Sequence, residues 1–226
     1  VNVRPRGQDI RVGDVILRRG TRIRAQEMGL LFSVGVPEVV VHQPLRVAIM
    51  STGNELIEPG QSLAPGQIYN SNRATLIGLL SAWGMEILDL GIVRDDPVVL
   101  ENILMEAAEN ADVIVTSGGV SVGEEDHVKS VVEELGSLEF WKISIKPGKP
   151  LAFGHVAGTP FMGLPGNPVS TFVTACIFLR PFVFGMQGCE CVLPRGHVET
   201  SLFSKASVTR QEFIRARRTT MGVEKY

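Results

Sequence analysis

Apolar and polar positions along the chain change rhythm twice. Residues 1–44 alternate in short β-prone pieces broken by glycine, as in "DIRVGDVILRRGTRI", followed by a short helix around Ala25–Ser33 and the run "EVVVH". From residue 45 the order becomes strand, loop, helix. "RVAIMS" is a compact apolar run ending in "TGNELIEPG". Leu76, Leu79, Leu80 and Trp83 then recur at helical spacing over about 72–83, and Gly84 supplies a stop. "EILDLGIV" predicts the next strand, after which Asp96 caps a helix with Pro97 at its first position. "DVIVTS" is a third strand. Val128, Val131, Val132 and Leu135 mark another helix, stopped at Gly136. "EFWKISI", "PLAFG" and "PFMGL" read as further strands, and in "PGNPVSTFVTACIFLRPFVF" Asn167 caps a largely buried helix begun by Pro168.

Strands alternating with helices imply a parallel sheet covered on both faces, and near-continuous apolar strands agree with burial on both sides. The fold class expected is α/β, three layers doubly wound about a mostly parallel sheet, flanked by small mixed or β segments. Expected boundaries fall at 1–44, 45–186 and 187–226, with short strands such as "HVETSLF" and "EFIRARRTTM" opening a β domain in the last part. Ligands of such sheets bind beyond the carboxyl ends of the strands. Here those ends carry "STGNE", "RDD", "TSGGVSVGEED" and "LPGNP", four polar loops at one rim.

The loop "TSGGVSVGEED" is either a tight turn or an anion cradle. Gly118 and Gly119 let the backbone approach a ligand, Ser117 and Ser121 offer hydroxyls, and a helix begins near Asp126. It has neither the spacing of a P-loop nor that of a dinucleotide fingerprint. Glu55, Asp95 and Asp126 lie just past three strands. Gathered beside a phosphate they require a cation, for which Mg²⁺ is suited; alternatively each caps a helix. In "SIKPGKPLAFG", Lys146 and Lys149 flank a Pro-Gly turn, as an oxyanion clamp or as a solvated hairpin tip.

Composition narrows the classes. At 226 residues, 44% hydrophobic and 20% charged, the chain has the mixture of a globular protein. A net charge of −2 makes no electrostatic case for nucleic acid. No uninterrupted apolar run approaches the ~20 residues of a membrane helix, so no membrane is expected. Seven arginines against two aspartates in the first 24 residues make a local basic surface, either solvated or attractive to an anion. Cys176, Cys189 and Cys191 are too few for a disulfide framework and suit a reducing cytoplasm. Cys189-Glu190-Cys191 lacks the partners of a zinc site. The four histidines, His42, His127, His155 and His197, are scattered and read as surface or packing residues.

Taken together, "STGNEL", "GIVRDDP", "TSGGVSVGEEDHVK", "FWKISIKPGKPLAFG" and "GLPGNPVS" resemble the molybdopterin molybdenumtransferases, the MoeA and gephyrin E-domain family. The resemblance runs over about 2–218. It implies a molybdopterin-binding domain at 45–186 that inserts molybdenum from molybdate into adenylylated molybdopterin with release of AMP. It also implies Mg²⁺, a cytoplasmic homodimer, and a molybdopterin adenylyltransferase as a further partner. Its acidic, metal-holding residues map onto Glu55, Asp95 and Asp126, with Lys142 and Lys146 beside them as catalytic. Its pterin-binding positions map onto Thr52, Gly53, Ser117, Gly118, Gly119, Ser121, Gly166 and Asn167. Its molybdate pocket maps onto Lys146, Lys149, Pro150, Ser170 and Arg215. The family's segments before Val1 and the later part of its last domain have no match here, which implies a fragment with weak or no turnover that keeps the pterin-binding half. The same core serves adenylyltransferases, where "GGVS" is replaced by a GGTG-type motif, and serves gephyrin as a scaffold for peptides.

Overall fold

The computed structural model describes residues 3–120, 127–189, 209–220 and 222–225. In chain order these form α1 (Ala25–Ser33), β1 (Arg46–Thr52), the two-residue arms β2 (Leu56–Ile57) and β3 (Ile68–Tyr69), α2 (Ser71–Trp83), β4 (Glu86–Val93) and α3 (Pro97–Asn110). They continue with β5 (Val113–Ser117), α4 (His127–Leu135), β6 (Gly136–Lys142), β7 (Ile145–Lys146), β8 (Pro150–Val156) and β9 (Thr159–Leu164). Next come α5 (Pro168–Thr174), a π-helical turn (Ala175–Leu179) and α6 (Arg180–Met186), and finally β10 (Gln211–Glu212), β11 (Ala216–Thr219) and β12 (Gly222–Lys225).

The central sheet has six strands in the order β4-β1-β5-β9-β8-β6. Neighbours pair parallel from β4 to β9; β8 is antiparallel to both β9 and β6, so it alone runs against the rest. Alternate residues of each strand leave by opposite faces, and both faces are apolar. Val47 and Ile49 of β1, Val113 and Val115 of β5, and Met162 and Leu164 of β9 pack with Leu76 and Leu80 of α2 and Leu179 and Val183 of the last helix. Ala48, Met50, Ile114 and Phe161 point the other way, onto Leu100 and Leu104 of α3 and Val128, Val131 and Val132 of α4. Three layers follow directly.

The caps fall where the sequence puts them. Asp96 accepts from the Val98 and Val99 N–H groups at 3.0 and 3.1 Å, and Asn167 from those of Val169 and Ser170 at 3.1 and 3.3 Å. Gly84 closes α2 at φ +83°. The run Pro168–Met186 is 19 residues long and apolar enough by length and composition to cross a membrane, which the sequence reading did not anticipate. One face of it, through Ala175, Leu179, Val183 and Phe184, lies in the core. Pro181 explains its π-helical turn: with no N–H to donate and a ring that crowds the preceding turn, it favours one wider turn before it.

Residues 3–44 differ from expectation. Only α1 is regular there, and the β-branched run of "EVVVH" forms no strand; Val40 is fully exposed. A strand needs an edge to pair with, and among the described residues no strand pairs with this run. At the other end β11 and β12 pair antiparallel, and the expected strand "HVETSLF" falls outside the described residues.

Candidate functional site at the strand ends

The carboxyl ends of β1, β5 and β9 stand side by side, and their loops touch. Gly118 N–H donates to the Leu164 carbonyl at 3.1 Å. A Cβ on Gly118 would stand 2.5 Å from the Thr52 carbonyl oxygen, and one on Gly119 would collide with the Thr52 hydroxyl and Val128. A Cβ on Gly166 would lie 3.6 Å from Gly118 Cα. Both Gly118 and Gly119 hold positive φ, +86° and +63°. Glycine is required here because the loop lies against β1 with no room for a side chain.

Beneath these glycines runs a buried polar network that sequence reading missed. The Ser51 hydroxyl meets the Ser117 hydroxyl at 2.9 Å and donates to Asn70 Oδ1 at 3.2 Å. Asn70 caps α2 through the Arg73 N–H at 3.3 Å, and Asn72 Nδ2 donates to the Gly166 carbonyl at 2.8 Å. Ser51, Thr52, Asn70, Asn72, Thr116 and Ser117 are all buried. Yet among the described residues Thr52 Oγ1, Asn70 Nδ2, Asn72 Oδ1, Thr116 Oγ1 and Asp95 Oδ1 have no hydrogen-bond partner. Each buried, unpaired polar atom costs about 1–3 kcal/mol, so a concentration of them marks a place where polar groups are kept for something other than stability.

The acids stand around this rim. Glu55 folds back over Gly53, whose added Cβ would fall 2.6 Å from Glu55 Oε2. Asp95 follows β4, the neighbour of β1, and is half-buried. The arm bearing Glu55 is pinned: Ile68 N–H donates to the Glu55 carbonyl at 2.8 Å and Asn70 N–H to that of Ile57 at 3.0 Å. Arg73 clasps the surroundings, with a fork to Asp89 at 2.7–2.9 Å and an ion pair to Glu58 at 2.8 Å. The guanidinium hydrogen bonds hold the Asp89 carboxyl below its ordinary range. Among the described residues no three His, Cys, Asp or Glu side chains gather into a metal-sized group. Asp126, the third predicted acid, and Ser121 lie outside the described residues.

The lysine turn reaches the same rim from the far side of β9. Lys142 ends β6 opposite Pro150, which opens β8. Between them Ile143 N–H donates to the Lys149 carbonyl at 3.0 Å, closing the turn. Lys142 and Lys149 are exposed, and Lys146 Nζ pairs with Glu212 Oε1 at 2.9 Å. Ser170 is buried in the first turn of α5, beside the Asn167 cap, and Thr171 Oγ1 ties that turn to the Pro165 carbonyl. Arg215 is exposed, three residues beyond Glu212. The structure thus gathers Thr52, Gly53, Glu55, Ser117, Gly118, Gly119 and Gly166 around the ends of β1, β5 and β9. It gathers Lys142, Lys146, Lys149 and Pro150 into a second group at the same edge. Chemically the first group offers backbone and hydroxyl donors to a polar ligand, and the second offers cations to an anion.

Residues 48–184 match the family described as "Probable molybdopterin binding domain", and residues 1–35 match "MoeA N-terminal region (domain I and II)". A molybdopterin molybdenumtransferase of Haemophilus influenzae is 45% identical over 187 residues, covering 83% of this chain and 46% of that protein. The molybdenum cofactor synthesis protein cinnamon of Drosophila melanogaster is 38% identical over 221 residues, 96% of this chain and 36% of that one. Among solved structures, the molybdopterin biosynthesis MoeA protein of Pyrococcus horikoshii superposes with a TM-score of 0.71 at 37% identity, over 81% of this chain and 46% of that chain. The chain spans less than half the length of these relatives.

Proposed function

This chain belongs to the molybdopterin-binding domain family, and from that premise we propose that it acts in molybdenum cofactor biosynthesis as a molybdenum-inserting transferase. In this reading it moves molybdenum from molybdate into adenylylated molybdopterin and releases AMP. The observation that carries the proposal is the rim of buried, unpaired polar atoms around Thr52, Asn70 and Asn72, next to a stiff turn bearing Lys146 and Lys149. A phosphorylated pterin suits the first group and a tetrahedral dianion suits the second, and the reaction needs both.

The division of labour follows from the chemistry of each group. Gly118 and Gly119 let the ligand's polar chain approach the β1 and β5 backbone. Ser117, Thr52 and Asn72 supply hydroxyl and amide partners that orient it, and Gly53, Gly166 and Asn167 shape the loops around it. Lys146 and Lys149, with Pro150 stiffening the turn and Ser170 and Arg215 adding donors, hold molybdate within reach of the dithiolene sulfurs. Lys142 adds positive charge where AMP departs. Glu55 and Asp95, with Asp126, suit a hard divalent cation, and the unpaired Asp95 Oδ1 agrees with that use. Bound Mg²⁺ would neutralise pyrophosphate charge and make AMP a better leaving group. The same reading divides the chain at 1–44, 45–186 and 187–226 and makes it a cytoplasmic homodimer that receives its substrate from a molybdopterin adenylyltransferase.

The test supplies adenylylated molybdopterin, Mg²⁺ and molybdate. AMP release that depends on molybdate is the expected result. ATP consumption with molybdopterin instead would mean adenylylation, and failure to bind adenylylated molybdopterin by calorimetry would remove the transferase reading. Calorimetric titration of Mg²⁺ in the presence of the pterin nucleotide should weaken at least tenfold in Glu55→Ala and Asp95→Ala. Unchanged binding in both would remove the metal assignment.

A further inference from the structure

The Lys146 ammonium already has an anion. Its Nζ donates to Glu212 Oε1 at 2.9 Å, and the pairing is built into the backbone. β7 and β10 run parallel with Lys146 opposite Glu212. Gln211 N–H donates to the Ser144 carbonyl at 2.9 Å, and Phe213 N–H to the Lys146 carbonyl at 2.7 Å. On the other side the turn presses on the last helix: Gly148, at φ +103°, lies so close to Thr174 that a Cβ there would collide with its methyl group. With both backbones pinned, only side chains can rearrange. The Glu212 side chain is 22% exposed and that of Lys146 is 56% exposed. The short acid is therefore the held partner and the long lysine stem is the mover.

Resting on the oxyanion reading of the lysine turn, we propose that Glu212 is the resident counter-ion of Lys146, which an incoming oxyanion must displace. The carboxylate occupies the ammonium until a tetrahedral anion takes its place, so Glu212 sets how tightly oxyanions are held. The cost of admission is the same ion pair whatever the charge of the newcomer. Repulsion through space would instead scale with that charge. Removing the Glu212 charge should therefore strengthen a dianion and a monoanion of the same shape by one common factor. For a partly exposed pair that factor is about two- to fivefold.

Tungstate and perrhenate are both tetrahedral and differ in charge. Both would be titrated calorimetrically into the intact protein and into Glu212→Gln, Glu212→Asp, Lys146→Met and the Lys146→Met, Glu212→Gln double variant, with melting curves confirming that each is folded. Glu212→Gln should tighten both anions about equally, and Glu212→Asp should stay near wild type. Lys146→Met should weaken both, and adding Glu212→Gln to it should change nothing. Unchanged or weaker binding in Glu212→Gln overturns the inference. So does a tungstate gain much larger than the perrhenate gain, or an equal gain in the Lys146→Met background. If Lys146→Met weakens binding while Glu212→Gln matches wild type, the counter-ion role alone falls. If Lys146→Met binds tungstate like wild type, or no variant binds it, the oxyanion reading falls too.

Discussion

Gly118→Ala should destabilise the fold by about 2–5 kcal/mol, in two separable parts. Gly118 sits at φ +86°, where an L-residue costs about 1–2 kcal/mol more than glycine. The added Cβ would also stand 2.5 Å from the Thr52 carbonyl oxygen. That oxygen belongs to β1, which is held on both sides by β4 and β5 and cannot retreat. Forcing atoms into such a contact adds about 1–3 kcal/mol. Gly158, in the turn between β8 and β9, provides the control: its φ is +87°, yet a Cβ there meets nothing within 4 Å. Gly158→Ala should therefore show the conformational part alone, about 1–2 kcal/mol. Urea unfolding followed by far-UV circular dichroism measures both. With a slope of about 2 kcal/mol/M, the Gly118→Ala midpoint should fall by about 1–2.5 M and that of Gly158→Ala by no more than about 1 M. Equal midpoints would refute the close approach of the loop to β1.

Two further outcomes are expected. Asn167→Ala removes the side chain that accepts from Val169 and Ser170 and should cost about 1 kcal/mol in thermal unfolding, with Asn167→Asp retaining most of it; an unchanged midpoint in the alanine variant would remove the cap's role. Because Arg73 holds the folded Asp89 carboxyl below its ordinary pKa, that stabilisation is complete above the ordinary carboxylate value and lost as pH falls through the depressed one. The melting temperature of the wild type should thus drop more steeply below about pH 4 than that of Asp89→Asn, and parallel curves would contradict the assignment.

The sequence spoke most clearly where one physical rule dominates. Strands buried on both faces must be almost wholly apolar, so β1, β5 and β9 announce themselves, and Asp96-Pro97 and Asn167-Pro168 write helix starts in residues whose side chains cap them. The glycine pair at 118–119 also declared its loop, although not the carbonyl it leans on. Ser51, Thr116, Asn70 and Asn72 stayed hidden because a small polar residue within an apolar run looks like any strand or helix residue; only the fold shows that their side chains converge. The Lys146–Glu212 pair joins positions 66 residues apart, beyond the reach of any local pattern. "EVVVH" erred in the opposite direction, since propensity favours a strand and only a neighbouring edge can make one.

Because β8 alone runs against its neighbours, the segment from Lys142 to Pro150 leaves the rim and returns to it without crossing the molecule. The rim loops after β4 and β9 run straight on into helices, so a change in their length must be absorbed by packing in one of the outer layers. The lysine turn is bracketed by strands instead. Side chains at its exposed positions, Lys142, Lys146 and Lys149, can be exchanged there while both helical layers keep their seats, provided Gly148 stays small against Thr174. A lineage, or an engineer, can refit the cationic end of the rim for a different anion and leave its neighbour as it was.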